Sequence, residues 1–439
     1  MTGDGDRSAR PRWRRWVDRR RAPLVATAAT LVLGMNWTIW WAEVVHGAPG
    51  VWLDPSDQWG TVLASVALVH GHLSGIYTAS TGLVTFPGYV VLMAPVAAVF
   101  SALHLEMGPQ LAAYGAPTGW VLVGPFELLT SSVALFGADA AAERLGVTGW
   151  RRVGLALVGA AVLSEVTLGW GHPEDALAIG LVLYAVLAAD RSSAKQAAWL
   201  LGIAVAVQPL AVVAAGAVGG VVAARAGRRA LVELVVPLVL PSAVVLAGPL
   251  VASWHSTVHV LIDQPNYPSF NHPTPWTSLL PRLHQRFVAV PAGPGRLAAT
   301  VVSLVAGYVV CRRRPAMPSV LWIVAVALFL RVVSESVLDP YYLWPVLAVT
   351  LVLAAGLPAW RWWSTAAAAL SLTWFSGVRL GGVWPWWSVV VLGLGTGLAL
   401  SRPGAAAAPS RRRPVAGIDG IPPGSEPVAV GVASAGAKQ

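Results

Sequence analysis

Charged residues are scarce in this sequence. Only 11% of its 439 residues are Asp, Glu, Lys or Arg, whereas 56% are hydrophobic, and the mean hydropathy is +0.64. Soluble domains carry roughly 25% charged residues, so this composition excludes an ordinary soluble protein. Several apolar runs exceed the ~18 residues that indicate a membrane-spanning helix. The chain is predicted to be an all-α polytopic membrane protein with about ten to twelve transmembrane helices.

Cysteine is almost absent as well, since Cys311 is the only one in the sequence. A disulfide within the chain and a thiolate metal cluster are thereby excluded. The sequence also lacks a P-loop, a Rossmann glycine fingerprint, a nucleophile elbow and a zinc motif. The energy for any reaction must therefore come from an activated substrate or from a gradient.

The basic residues, which give a net charge of +10, occur in short blocks between apolar runs, at residues 7–21, 225–229, 312–314 and 411–413. The positive-inside rule gives cytoplasmic loops this distribution. A nucleic-acid partner is disfavoured, because it would need a basic patch on one folded face. Membrane lipids are the expected surroundings of the chain.

Composition and charge divide the chain into three parts. Residues 1–22 are predicted to form an unstructured basic cytoplasmic tail, 23–401 the transmembrane domain, and 402–439 a disordered cytoplasmic tail. Eight arginines precede the first span, at about 24–45, and none occurs in the next 40 residues. This span should therefore run outward across the plasma membrane, which places the loop after it outside the cell.

Four segments have less certain patterns. Residues 46–84 are predicted to contain helices that lie along the membrane surface, with a true span as the alternative. Residues 105–149 fit one long tilted helix or two short ones, and 196–224 fit a hairpin that turns at a Gln-Pro pair. Residues 255–287 contain five prolines and are predicted to form a polar extracytoplasmic loop.

Two carboxylates follow the first span in the stretch "WLDPSDQWG", residues 52–60. Asp54 precedes a proline, which is typical of a helix start, so capping explains it best. Asp57 is then predicted to lie in the first turn of the helix and to face a cavity. Carboxylates near a span often serve a site because they are costly there. Asp57 is the first candidate for a catalytic base, and Asp54 is the second.

The densest polar cluster is "GWGHPEDALAIG", residues 169–180, which holds His172, Glu174 and Asp175. Pro173 predicts a helix start, and an acid in the first turn suits the helix dipole. This accounts for one of the acids but not for all three side chains. The spacing is weak as a metal motif, so no metal ligand is assigned.

The predicted loop 255–287 adds Asp263 and His272, which lie among aromatic residues. Aromatic faces beside carboxylates suit a sugar. An aromatic loop at the level of the lipid headgroups has the same composition, and the two alternatives remain open.

The stretch "LRVVSESVLDPYYLWP", residues 330–345, places Arg331, Glu335 and Asp339 at four-residue steps. A helix would align these side chains. Arg331 would then either pair with Glu335 or bind a phosphate.

The order of these motifs resembles that of the GT-C superfamily of membrane glycosyltransferases. Residues 57–95 are similar to the first extracytoplasmic loop of enzymes that use polyprenyl-phosphate sugars. "GHPEDALAIGLVLYAVLAAD" (171–190) resembles the H-x-DAL helix of actinobacterial polyprenyl-phosphomannose-dependent α-mannosyltransferases. "LDPYYLWPVLAV" (338–349) resembles the start of a late span in those enzymes. The similarity runs in order through about residues 24–360, although "HPED" has one residue more than the family motif.

The resemblance implies a GT-C-like bundle whose large first extracytoplasmic loop contains surface helices. It also implies a role in the biosynthesis of cell-envelope glycans. A sugar, with mannose expected first and arabinose second, would pass from a polyprenyl-phosphate donor to a glycan or glycolipid acceptor. Asp57, or else Asp54, would deprotonate the acceptor in an inverting displacement. The residues expected to bind the substrates are His172, Glu174, Asp175, Asp263, His272, Arg331 and Tyr342.

No cofactor is required, since the donor carries one phosphate rather than a diphosphate; a divalent cation near Asp54 and Asp57 is left open. The alternative function is that of a multi-span transporter or a flippase for lipid-linked sugars. Such a protein should place its charges near the bilayer midplane, whereas the carboxylates here gather at the outer ends of spans.

Overall fold

A computed structural model describes residues 11–46, 57–78, 81–105, 119–227, 229–264, 272–283, 289–291, 295–377 and 382–404. These residues form an all-helical fold with no β-strand among them. The helices are α1 (Arg12–Arg19), α2 (Arg21–His46), α3 (Gln58–Val69), α4 (Gly88–Ala102), α5 (Trp120–Ser131), α6 (Val133–Arg144), α7 (Trp150–Ser164), α8 (Pro173–Asp190), α9 (Ala194–Val207), α10 (Ala215–Ala226), α11 (Arg229–Ala252), α12 (Trp254–Asp263), α13 (Gly295–Arg313), α14 (Met317–Val333), α15 (Trp344–Ala355), α16 (Ala359–Phe375) and α17 (Val383–Leu400).

Six helical segments in the described part of the chain are long and apolar enough to cross a membrane. They are Trp120–Arg144, Trp150–Gly169, Pro209–Ala226, Arg229–Ala252, Gly295–Arg313 and Val383–Leu400. Several shorter apolar helices accompany them, among them α4, α9 and α14. The predicted character of a polytopic helical membrane protein is confirmed, while the total of ten to twelve spans stays a prediction.

Helices α8 and α15 form the centre of the bundle. Every residue of α15 is buried, and so is every residue of α8 except Leu181 and Tyr184. Helices that are apolar on all faces belong in the interior of a bundle. Helix α8 packs against α5, α6 and α9, and α15 packs against α6, α7, α14 and α16. Polar side chains at the ends of α8 are therefore buried by their neighbours.

Small residues allow the close approach of the helices, as in many membrane bundles. A Cβ atom on Gly216 of α10 would lie 1.6 Å from the backbone oxygen of Ser303 in α13. A Cβ atom on Gly180 of α8 would lie 2.7 Å from backbone atoms at the start of α6. Larger residues at either position would push the paired helices apart.

The structure corrects three predicted segments. The predicted loop 255–287 is helical in its first part, where α12 extends to Asp263, because its prolines begin only at Pro265. The predicted unstructured tail 1–22 contains α1. The four-residue steps from Arg331 to Asp339 do not lie on one helix, because α14 ends at Val333. The helix breaks at the predicted Gln-Pro pair, since α9 ends at Val207 and a 3₁₀ turn begins at Pro209. The hairpin that dips into the membrane and returns stays a prediction.

Candidate functional site

A wide turn in the chain shapes the N-terminus of α8. Helix α7 is followed by a π-helical turn, Glu165–Gly169, and then by Gly171 with φ +74°, a conformation that glycine adopts without strain. The backbone N–H of His172 donates to the Val166 oxygen at 3.0 Å. Pro173 takes the first helical position, where a missing N–H does no harm. The predicted start of the helix is thus confirmed.

His172 links two carboxylates at this end of α8. Its Nδ1 lies 2.8 Å from Oε1 of Glu174, and its Nε2 lies 3.2 Å from Oδ2 of Asp57. The Glu174 side chain is 7% exposed, whereas that of Asp57 is 51% exposed. The two contacts of His172 therefore connect a buried acid at the start of α8 with an acid that is exposed to solvent. Asp57, His172, Glu174 and Asp175 are called the His172 cluster below.

Asp57 joins this cluster from a distant part of the chain. It occupies the position before α3, but its side chain makes no capping hydrogen bond there. Its carboxylate instead contacts a histidine 115 residues further on. The prediction that Asp57 lies in the first helical turn is wrong by one position, since α3 begins at Gln58. Asp54 lies outside the described residues.

Opposing effects set the protonation of His172. Burial favours the neutral ring, but the charge of Glu174 and hydrogen bonds to Asp57 and Glu174 outweigh it and raise the pKa of His172 well above its usual value. The ring of Tyr341 stacks on the imidazole, with centroids 3.5 Å apart and planes 18° apart. The stacking holds the imidazole in the plane that reaches both carboxylates.

Asp175 forms the buried side of the cluster. Its side chain is fully buried, and one ligand atom from each of Asp175, Glu174 and His172 lies within 4.8 Å of the others. Burial and the charge of Glu174 disfavour the ionised form of Asp175, whereas the charges of His172 and Arg331 and the amide of Gln208 favour it. The cluster therefore holds carboxyl groups in a buried part of the protein.

Arg331 is held by two neighbours. Its guanidinium forms an ion pair with Glu335 at 2.9 Å and lies 5.3 Å from the centroid of the Tyr342 ring. Burial raises the pKa of the Glu335 carboxyl, while the charges of Arg331 and Arg296 act against this shift. Arg331 thus forms the predicted ion pair with Glu335, while the other alternative, phosphate binding, stays a prediction.

A cavity of about 270 Å³ lies beside Arg331. Two arginines, Arg296 and Arg331, line it together with Glu335 and Gln208, and much of the rest of its wall is apolar, including Phe86. Arg296 donates hydrogen bonds to the backbone oxygens at the end of α12, at 2.7 and 2.8 Å. Guanidinium groups next to an apolar wall can hold an anion that carries an apolar chain.

One other predicted site residue lies apart from these contacts. His272 is buried and stacks on Trp386, with ring centroids 4.6 Å apart. Asp263 is the last residue of α12, and its side chain is outside the described part. The structure thus brings together His172, Glu174, Asp175 and Asp57, places Arg331 and Tyr342 next to them, and gives His272 a different aromatic partner.

The sequence analysis missed three residues of the site. Tyr341 precedes the chosen Tyr342, and a second aromatic residue in "DPYY" was a usable signal. Gln208 stands as a polar residue inside an apolar run, which also marks it. Arg296, near the start of α13, has no sequence signal that separates it from other arginines.

Comparisons with known protein families and with curated proteins find no match for this chain. The chemistry of the site is therefore the basis for a functional proposal.

Proposed function

We propose that the protein is a GT-C-like membrane glycosyltransferase, which transfers a sugar from a polyprenyl-phosphate donor to a hydroxyl of a glycan or glycolipid. One observation carries the proposal. Asp57, a half-exposed carboxylate, is oriented by His172, and Arg331, which acts on the charge of the same cluster, lines a cavity with a partly apolar wall. A base at an open surface and cations beside an apolar wall are what a lipid-phosphate donor and a hydroxyl acceptor require.

Asp57 is the general base in this proposal. It takes the proton of the acceptor hydroxyl while the acceptor oxygen bonds to C1 of the sugar. The bond between C1 and the phosphate oxygen breaks, and its electron pair leaves with the polyprenyl phosphate. One carboxylate suffices for such a displacement, which inverts the anomeric centre. A β-linked donor therefore yields an α-linked product.

His172 and Glu174 position the base. The hydrogen bond from Nε2 of His172 orients the Asp57 carboxylate, and Glu174 holds the other ring nitrogen. A reacting group that is already oriented loses less entropy when the transition state forms. The stacked Tyr341 ring keeps this arrangement rigid.

Arg331 serves the leaving group. The phosphate gains negative charge as the C1–O bond breaks, and a fixed guanidinium that lines the cavity stabilises that charge. The apolar part of the wall suits the first isoprene units of the lipid. Mannose is the proposed sugar, and the extracytoplasmic face of the plasma membrane is the proposed location, because the basic blocks of the sequence favour that orientation.

The test uses the full-length protein in lipid nanodiscs with radiolabelled polyprenyl-phosphomannose and a lipomannan-type acceptor. The expected result is label in the acceptor, in α linkage, with release of an equal amount of polyprenyl phosphate. The same protein in liposomes is tested for movement of the labelled donor between leaflets. Movement of the donor without transfer would contradict the proposal and favour the flippase, and label that stays on the donor in both assays would also contradict it.

A further inference from the structure

The side chains at the start of α8 carry atoms that could bind a metal ion, in addition to the roles given above. His172, Glu174 and Asp175 offer one imidazole nitrogen and two carboxylate oxygens that lie within 4.8 Å of one another. Neutral imidazole and carboxylate together match the donors that first-row divalent ions accept. One histidine and two acids that lie close together are not by themselves a metal site, so a second observation is needed.

Asp175 supplies that observation. Its side chain has no exposed surface, and neither of its oxygens has a hydrogen-bond partner within the described structure. The Gln208 amide acts on it from outside hydrogen-bond geometry. Arg331, which also acts on it through its charge, is engaged with Glu335 at 2.9 Å. A buried carboxylate is strongly unfavourable unless a cation offsets it, and this one is directed at the cluster.

The orientation of His172 also suits a metal ligand. Histidines that bind metals commonly donate their other ring N–H to a carboxylate, which fixes the tautomer. Here Nε2 lies 3.2 Å from the Asp57 carboxylate, so Nδ1 is the nitrogen that faces Glu174. Stacking against Tyr341 restrains the ring plane.

We infer that Nδ1 of His172 and the carboxylates of Glu174 and Asp175 bind a divalent first-row cation such as Mn²⁺, with Asp57 as the outer hydrogen-bond partner of the histidine. The mixed nitrogen and oxygen donors favour Mn²⁺ or Zn²⁺ over Mg²⁺. On binding, the cation would release the Nδ1 proton of His172 to solvent. It would also neutralise two buried carboxylates next to the base and so admit an anionic donor. This role rests on the proposed function, whereas binding of the cation is measured without any sugar.

The experiment titrates Mn²⁺ into the full-length, chelator-treated protein in nanodiscs and follows free Mn²⁺ by electron paramagnetic resonance. We expect one tightly bound ion, whose pulsed spectrum shows coupling to a nitrogen of coordinated imidazole. Asp175→Asn and Glu174→Gln should weaken binding by more than about 100-fold, and Asp57→Asn by about 10- to 100-fold as an outer partner. Asp18→Asn, at an acid that pairs with Arg21 near the N-terminus, is the matched control and should bind as the wild type does.

The inference is overturned if the wild type binds no Mn²⁺ or Zn²⁺, or if the bound ion shows no nitrogen coupling. It is also overturned if Asp175→Asn keeps the wild-type affinity. The nitrogen coupling is measured on the wild-type protein, so the inference can be tested even if a variant fails to fold. Binding without any sugar transfer would contradict the proposed function alone, and transfer by a protein that binds no cation would contradict this inference alone.

Discussion

Helix α8 carries charged groups at both ends, and the two ends balance charge in different ways. At its C-terminus, Asp190 accepts hydrogen bonds from Arg144 at 2.7 Å and from Arg225 at 2.5 Å. This acid thus has two cations. At the N-terminus, the His172 cluster holds three carboxylates around one imidazole. The same helix therefore ends in one group where two arginines share a single acid, and in another group with excess negative charge.

The difference separates structural ion pairs from a candidate site. A carboxylate between two arginines joins neighbouring helices, and its own negative charge is fully offset. A group of carboxylates with too few cations destabilises the fold, and polar groups of this kind within a membrane protein often serve function. Substitutions at a paired acid are therefore expected to lower stability, whereas most substitutions near the His172 cluster are expected to change kinetics or cation binding.

The largest effect is expected at another ion-pair group, in which Asp139 and Glu143 balance Arg20 and Arg152. Asp139 is 2% exposed and lies 2.5 Å from both Arg20 and Arg152. Asp139→Asn should lower the free energy of unfolding by about 3 to 5 kcal/mol, because it leaves two arginines without their shared acid. Thermal unfolding followed by tryptophan fluorescence measures the change. Glu143→Gln, at a more exposed partner of Arg20, is the control and should have a much smaller effect; equal melting temperatures for Asp139→Asn and the wild type would contradict the assignment.

The next largest effect is expected on the binding of the sugar donor. Arg331→Gln should raise the KM for polyprenyl-phosphomannose by about tenfold or more, since a hydrogen bond to a charged group is worth about 1.5 to 3 kcal/mol. The double variant with Glu335→Gln removes the unpaired acid and should show the same rise in KM. Initial rates over a range of donor concentrations give the result. An unchanged KM in the double variant would remove Arg331 from donor binding.

A smaller effect is expected from the residue that positions His172. Glu174→Gln should lower kcat by about tenfold with little change in KM, because the imidazole loses its charged partner and orients Asp57 less well. The assay is run at saturating Mn²⁺, so that loss of the cation does not enter. A rise in KM at constant kcat would show that Glu174 binds substrate instead.

The smallest expected effect is an increase in stability. Asp175→Asn should raise the free energy of unfolding by about 1 kcal/mol in chelator-containing buffer, because it removes a buried charge that lacks a hydrogen bond. Removal of Asp139 at the balanced group is destabilising, so the two neutral substitutions should move the melting temperature in opposite directions. A lower melting temperature for Asp175→Asn would show that its charge is already compensated.

Much of the helical fold follows from local sequence. The apolar run near 24–45 predicts α2, and Pro173 predicts where α8 begins. The spacing of four between Arg331 and Glu335 predicts their ion pair, which forms although α14 ends between them. Helix α12 was missed because the prolines that follow it dominate the composition of the segment.

The contacts within the site are harder to predict. Asp57 and His172 are 115 residues apart, and only the folded bundle brings the start of α3 close to the start of α8. The local pattern predicts that Asp57 faces a cavity, but it does not predict that His172 is its partner. The burial that distinguishes Asp175 from other acids likewise depends on the helices around α8 rather than on neighbouring residues.

The most direct test is the rate of sugar transfer by Asp57→Asn, expressed per folded molecule and at saturating Mn²⁺. The account predicts a loss of about 100-fold or more, the scale of a lost general base, with a melting temperature close to that of the wild type. Transfer at nearly the wild-type rate by the folded variant would contradict the account.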